Sequence, residues 1–258
     1  MPKSVWNKIW KNYDFDTYIV STEVLKTTPS YKRIKRIILD RFGSFKGLRI
    51  IEIGAGSGKH SFLFGMEGAK VVIFDYSEES IKFTQRIFKK FGIDAEFILG
   101  DALKIEQYVE TNKYDISMSF GLAEHFKGED REKIVHSHFY PLKKGGITII
   151  SVPNSWCFPY RVYKFLAEIT GKWDVGEEYP FSKKELINQI EKKGKLIEIF
   201  GTPFYHDFRT NMYRALKLIP FIQDIIIQHS NKKKQRFLKG ERNLYHKHRT
   251  SFLMIIWT

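Results

Sequence analysis

Arg49-Ile-Ile-Glu-Ile-Gly-Ala-Gly-Ser-Gly58 constrains this chain more than any other stretch. A short β-branched run reads as a fully buried parallel strand. It ends in an acid, Glu52, just before glycines at alternate positions. Gly54, Gly56 and Gly58 let the backbone turn sharply and approach a ligand where a Cβ would obstruct it. A helix is expected next, from about Lys59 to Glu67, with its free N–H groups pointing into that turn. Strand, glycine turn and helix in this order form a nucleotide site at the carboxyl edge of a doubly wound sheet.

Two residues argue against a dinucleotide. The fingerprint G-x-G-x-x-G needs glycine or alanine at position 59, which is Lys59 here. Glu52 would repel a pyrophosphate, so a ligand with a free ammonium and no phosphate suits the turn better. The second strand of such a sheet should close on an acid for ribose hydroxyls, and Lys70-Val-Val-Ile-Phe-Asp75 does so, with Tyr76 and Ser77 after it. Ser77 followed by Glu78 and Glu79 reads as a helix cap with acids matched to the helix dipole. Further strands are expected at Ala95–Gly100, before Asp101-Ala102, and at Tyr114–Phe120, before Gly-Leu-Ala-Glu-His125. A fifth follows Leu142-Lys-Lys-Gly-Gly146 and ends at Val152-Pro-Asn154. The competing reading of Asp75 and Asp101 is that they cap helices.

With acids and turns at four successive strand ends, residues 46 to 154 resemble the class I S-adenosylmethionine-dependent methyltransferases. The small-molecule branch that includes ubiquinone O-methyltransferases is the nearest resemblance, extending to Phe181-Ser182. The resemblance implies an α/β, Rossmann-like seven-stranded sheet of order 3-2-1-4-5-7-6, with strand seven antiparallel between five and six. It implies S-adenosylmethionine as cofactor, held by Gly54, Ala55, Gly56, Asp75, Tyr76, Asp101 and Ala102. Asp101 would meet the adenine amino group, Glu52 would lie near the methionine amino group, and Phe120 beneath the methionine arm.

Sulfonium chemistry needs alignment, exclusion of water and, for a protonated nucleophile, a base. His125, with Glu124, follows the fourth strand and is the candidate base or acceptor contact; packing at a helix start is the competing reading. Gly121-Leu-Ala-Glu-His125 also resembles the metal-binding E-x-x-E-H of quinone O-methyltransferases and small-RNA 2′-O-methyltransferases. Gly121 replaces the first acid, and two remaining ligands hold a divalent ion poorly, so no metal is expected. His206, His246 and His248 lie in a later segment whose approach to the site spacing does not decide.

Three segments fall outside the common sheet. Trp6, Ile9, Trp10 and Tyr13 recur on one helical face, and a further helix should begin at Thr28-Pro29. These residues, 1–45, are expected to form a helical cap that packs on the sheet edge or covers the site; residues 46–258 would be the methyltransferase domain. Residues 154–180 are rich in aromatic residues, with a helix expected from Tyr160 to Thr170, and read as one substrate-side insertion. Residues 203–250 read as another. They carry 11 Lys/Arg against 3 Asp/Glu, a net of +8 within a chain total of +14. An apolar stripe through Ala215, Leu218, Ile219, Ile222, Ile225 and Ile226 runs through them, so a packing surface or contact with a membrane surface is expected there. The run Lys232-Lys-Lys-Gln-Arg236 reads as a solvated face before it reads as a nucleic-acid contact. Ser182 with Glu185 forms a capping box opening a helix to Lys193, and strands follow at Leu196–Phe200 and Ser251–Trp257.

The single cysteine, Cys157, excludes an internal disulfide, fits a reducing compartment and reads as a core residue. With no apolar run of about 18 residues, a cytoplasmic enzyme is expected. The leading expectation is methyl transfer to an O, N or C nucleophile on a small apolar or aromatic molecule. An RNA or tRNA methyltransferase is the first alternative, favoured by charge. A non-catalytic cofactor-binding or membrane-surface protein of the same fold is the second.

Overall fold

Alternation along the central strands sorts side chains onto two faces, and each face carries its own helices. The computed structural model describes residues 3–201, Leu216 and residues 252–257, the last six as backbone. Strands β1 (Arg49–Ile53), β2 (Lys70–Asp75), β3 (Ala95–Leu99), β4 (Tyr114–Phe120), β5 (Leu142–Pro153), β6 (Leu196–Phe200) and β7 (Phe252–Trp257) form one sheet. Its order is β3-β2-β1-β4-β5-β7-β6. β1 through β5 pair in parallel, and β7 pairs antiparallel with both β5 and β6.

On one face Ile50, Val71, Ile73, Ile116, Met118 and Ile149 pack under α2 (Phe15–Thr27), α3 (Pro29–Phe42), α4 (Lys59–Met66) and α5 (Glu78–Lys90). On the other, Ile51, Ile53, Val72, Phe74, Ile150 and Val152 meet Ile134 and Val135 of α6 (Glu129–Ser137), and Leu186 and Ile190 of α8 (Lys183–Glu191). Period-two alternation in a strand buried on both sides produces this division. Fully buried Phe64 stacks on Phe45 at 4.8 Å. Each buried phenyl of this kind stabilises the fold by about 2 kcal/mol.

Helix starts follow the sequence signals. Thr28 caps α3 through the Tyr31 N–H, with Pro29 in the first turn, and Ser77 caps α5 through the Ser80 N–H. Ser182 and Glu185 complete the capping box of α8, which ends at Glu191 and not at Lys193. The N-terminal region differs from expectation by one helix. The apolar face of α1 (Lys3–Lys11) stops before Tyr13, and α2 begins at Phe15 under an Asp14 cap that accepts from the Thr17 N–H at 2.8 Å. The β-branched content of α2 hides it from periodicity; buried Tyr18, Val20, Thr22 and Val24 hold it.

The helix expected from Tyr160 is α7, Phe158–Ile169, and its aromatic residues do not act as one group. Tyr160 is fully buried, whereas Trp156, Phe158 and Phe165 are exposed. Cys157 is therefore not a core residue: it sits half-buried at the N-cap of α7 between two exposed aromatic rings. Among the described residues no helix is long and apolar enough to cross a membrane. The stripe Ala215–Ile226, the run Lys232–Arg236 and His206, His246 and His248 lie outside the described residues, Leu216 excepted.

Candidate active site

The turn after β1 takes the conformation its glycines allow. Gly54, Gly56 and Gly58 have φ of +63°, +55° and +60°. A Cβ on Gly54 would lie 2.6 Å from Leu122, and one on Gly56 would lie 2.5 Å from Trp10, so neither position tolerates a side chain. The turn is tied to the end of β2: the Gly54 N–H donates to the Phe74 carbonyl at 2.8 Å, and the Gly56 N–H to Asp75 Oδ2 at 2.7 Å. Asp75 Oδ1 accepts from the Ser77 N–H at 2.8 Å, and Ser80 Oγ donates to the Gly56 carbonyl at 2.7 Å. Burial raises the Asp75 pKa against the pull of these N–H donors. The Ser80 hydroxyl and the Tyr76 backbone add to the Gly56 and Ser77 donors in holding this carboxylate.

Glu52 lies under the same turn, 2 % exposed, with Oε2 accepting the Ser61 N–H of α4 at 3.0 Å. Burial, opposed by the Ser61 hydrogen bonds and Lys59, pushes its pKa up to about 7. Tyr76 is half-buried beside Asp75 and Asp101, and its phenol is pushed up to about 12, by burial first and then by those two carboxylates. At the end of β3, Asp101 Oδ1 accepts the Leu103 N–H at 3.0 Å and caps a 3-10 turn over Ala102–Gln107, with Ala102 buried. Asp101 is thus a cap at a strand's carboxyl end. Phe120, at the end of β4, stacks face to face on His60, with centroids 3.4 Å apart and planes 8° apart. Burial, and then Lys59, holds the His60 pKa down to about 3, so this imidazole is neutral.

Helix α1 lies across these strand ends. Lys3 pairs with Glu78 at 2.8 Å, Asn7 Oδ1 accepts from Ser77 Oγ at 2.7 Å, and Trp10 covers Gly56. Trp6 meets His125 edge-on at 5.1 Å. Two residues of the apolar stripe, Trp10 and Trp6, therefore meet the turns after β1 and β4.

After β4 the chain makes a 3-10 turn, Ala123–His125. His125 Nδ1 is 2.9 Å from the Glu177 carbonyl, which fixes the proton on Nδ1. Burial lowers the His125 pKa, so its ring is neutral. Glu124 is 2 % exposed and its Oε2 has no hydrogen-bond partner among the described residues. Burial first, then the neighbouring Glu178, raises its pKa well above the carboxylate range. Glu178 accepts a short hydrogen bond from the Tyr160 hydroxyl. One atom each of Glu124, His125 and Glu178 lie within 4.8 Å of one another.

Sequence reasoning placed Tyr160 and Glu178 only in the broad 154–180 insertion, and did not single out Glu178, Tyr160 or Arg131 as candidate site residues. No local signal marks them, because they converge only through the strap from Glu177 to Phe181. Arg131 Nη1 donates to the carbonyls of Tyr179 at 2.6 Å and Phe126 at 3.2 Å, Nη2 to that of Pro180 at 3.1 Å, and Nε to Glu185. Its guanidinium lies 3.4 Å over the Phe181 ring. Phe181 then bridges to Asn154 beside β5, and the Tyr179 N–H donates to the Glu124 carbonyl at 2.7 Å.

Residues 44–237 match a family described as a methyltransferase domain. Among curated relatives, the demethylmenaquinone methyltransferase of Renibacterium salmoninarum is 31% identical over 106 residues, covering 41% of this chain and 42% of that protein. A ubiquinone biosynthesis O-methyltransferase of Ruegeria is 27% identical, over 58% of this chain and 61% of that one. The chain thus spans less than two thirds of the curated relatives it matches. A crystal structure of the Synechocystis magnesium protoporphyrin IX methyltransferase with bound S-adenosylmethionine superposes with a TM-score of 0.56 at 13% identity, covering 99% of this chain and 90% of that one. Since the matched region spans most of the sequence, the chain belongs to the class I S-adenosylmethionine-dependent methyltransferase domain family.

Proposed function

We propose that this protein moves a methyl group from S-adenosylmethionine to an O, N or C nucleophile of a small, apolar or aromatic molecule. The observation that carries this reading is the unit formed by Asp75 and the glycine turn. A buried carboxylate at the end of β2 is bonded to the Gly56 N–H, in a cradle that a Cβ would fill. The donor set fits a sulfonium nucleoside: carboxylates and backbone groups, with Lys59 where a dinucleotide turn has its third glycine. Bound there, the cofactor supplies an activated methyl group with a neutral thioether as leaving group.

In this reading Gly54, Ala55 and Gly56 bring backbone close to the ligand, and Asp75 and Tyr76 take the ribose side. Asp101 and Ala102 take the base, Glu52 sets a negative field near the methionine ammonium, and Phe120 on His60 forms an apolar floor. His125 and Glu124 face the acceptor. The N-terminal helices 1–45 are the cap of a methyltransferase domain, 46–258, and Trp6 and Trp10 exclude water from the transfer. Substrate choice falls to residues 154–180 and 203–250. The relatives named for demethylmenaquinone and ubiquinone biosynthesis support an apolar ring acceptor.

The test is incubation with methyl-labelled S-adenosylmethionine and separate lipid, metabolite and RNA pools. Label in a small apolar species supports the reading, label in RNA replaces the acceptor class, and S-adenosylhomocysteine binding without label in any pool indicates a non-catalytic protein. Calorimetry that shows no heat with S-adenosylhomocysteine but saturable uptake of NAD removes the cofactor assignment.

A further inference from the structure

We infer that Glu124, His125 and Glu178 form a divalent-cation site, in which Glu178 of the strap supplies the acid that Gly121 does not. The three candidate ligand atoms come from two separate stretches of chain and lie within 4.8 Å of one another. Glu124 is buried to 2 % exposure, yet its Oε2 has no hydrogen-bond partner among the described residues. A carboxylate removed from water costs several kcal/mol unless something compensates it, and here its neighbour is a second carboxylate. A divalent ion between them neutralises both charges.

The surroundings are arranged as metal ligands require. His125 donates a hydrogen bond from Nδ1–H to the Glu177 carbonyl, which leaves the lone pair on Nε2 and fixes the ring. Tyr160 donates to Glu178 and orients that carboxylate. Arg131, donating to Tyr179, Pro180 and Glu185, holds the strap against the turn after β4. Its Nε pairs with Glu185, and its charge also favours the ionised form of Glu124. Gly121 has φ +85°, and a Cβ there would lie 3.3 Å from Glu124 Oε1.

Two carboxylate oxygens and one imidazole nitrogen suit Mg²⁺, Mn²⁺, Fe²⁺ or Zn²⁺, with water or an acceptor oxygen completing the shell. The site does not depend on the methyl donor, so its failure and that of the cofactor assignment are separable.

Mn²⁺ is the probe, added to the full chain after EDTA treatment and counted by electron paramagnetic resonance of the free ion. One saturable site per chain is expected, displaced by Mg²⁺ or Zn²⁺. Glu178→Gln and Glu124→Gln, which keep shape and remove charge, should each weaken binding by about a hundredfold. Glu132→Gln, on the exposed face of α6, should leave it unchanged. Circular dichroism and S-adenosylhomocysteine binding confirm that each variant is folded. No saturable Mn²⁺ site below millimolar concentration overturns the inference, as does Mn²⁺ binding that Glu178→Gln leaves intact. Binding of methylammonium in place of Mn²⁺ also overturns it and assigns the pair to an amine.

Discussion

Replacing Glu52 by Gln tests whether the acid under the glycine turn is held close to neutral protonation. The folded pKa is about 7 against an ordinary value of 4.5. At about 1.4 kcal/mol per unit, that gap corresponds to about 3 kcal/mol. The sign follows from proton counting. Between pH 4.5 and about 7 the folded state keeps a proton that the unfolded state has lost, so stability falls as pH rises through this window. Gln keeps a neutral oxygen for the Ser61 N–H and does not titrate. Buried His60 and His138 act in the opposite sense over an overlapping range, so the informative quantity is the difference between variant and wild type at each pH. Urea unfolding at intervals from pH 4.5 to 8 should show similar stability at the acid end, and Glu52→Gln more stable by about 3 kcal/mol at pH 8. A ligand with an ammonium near Glu52 favours the ionised form. S-adenosylhomocysteine affinity should therefore rise with pH up to about 7 and level off. Methylthioadenosine, which lacks the ammonium, should show no such rise. A stability difference that is flat with pH would refute the burial argument; identical pH profiles for the two nucleosides would refute the ammonium assignment.

Gly56→Ala places a Cβ 2.5 Å from Trp10 at φ +55°, and should cost about 2 kcal/mol in thermal unfolding and abolish S-adenosylhomocysteine binding by calorimetry. Arg131→Met leaves the Tyr179 and Pro180 carbonyls and Glu185 without their donor; urea unfolding should show a loss of about 2 kcal/mol, and hydrogen exchange should show faster opening of residues 177–181. His138 is buried, its Nδ1 donates to the Ile134 carbonyl, and its pKa is held down to about 4. Below an ordinary pKa of 6.5 the unfolded state takes up a proton first, so stability contributed by neutral His138 is lost as pH falls from 6.5 toward 4. His138→Asn should remove that component, by about 3 kcal/mol between the two ends, in the same urea series.

Local chemistry made the glycine turn and the acids at the strand ends readable from sequence. Gly54, Gly56 and Gly58 announce a turn because positive φ admits little else, and Asp75 is one strand further on because parallel neighbours end together. Caps at Thr28, Ser77 and Ser182 are decided by residues three apart, so they too are visible in one dimension. Helix α2 was not visible, since its β-branched residues are held by burial and not by propensity. The chain itself also determined that α1 has an apolar stripe; only packing decided that Trp6 would meet His125 and Trp10 would cover Gly56. The absence of an acid at position 121 is likewise plain in the sequence, whereas Glu178 reaches Glu124 only because Arg131 folds a distant strap back beside β5. Backbone conformation depends on near neighbours and can be read along the chain. Which charges share a buried volume depends on contacts between remote segments, and that requires the folded structure.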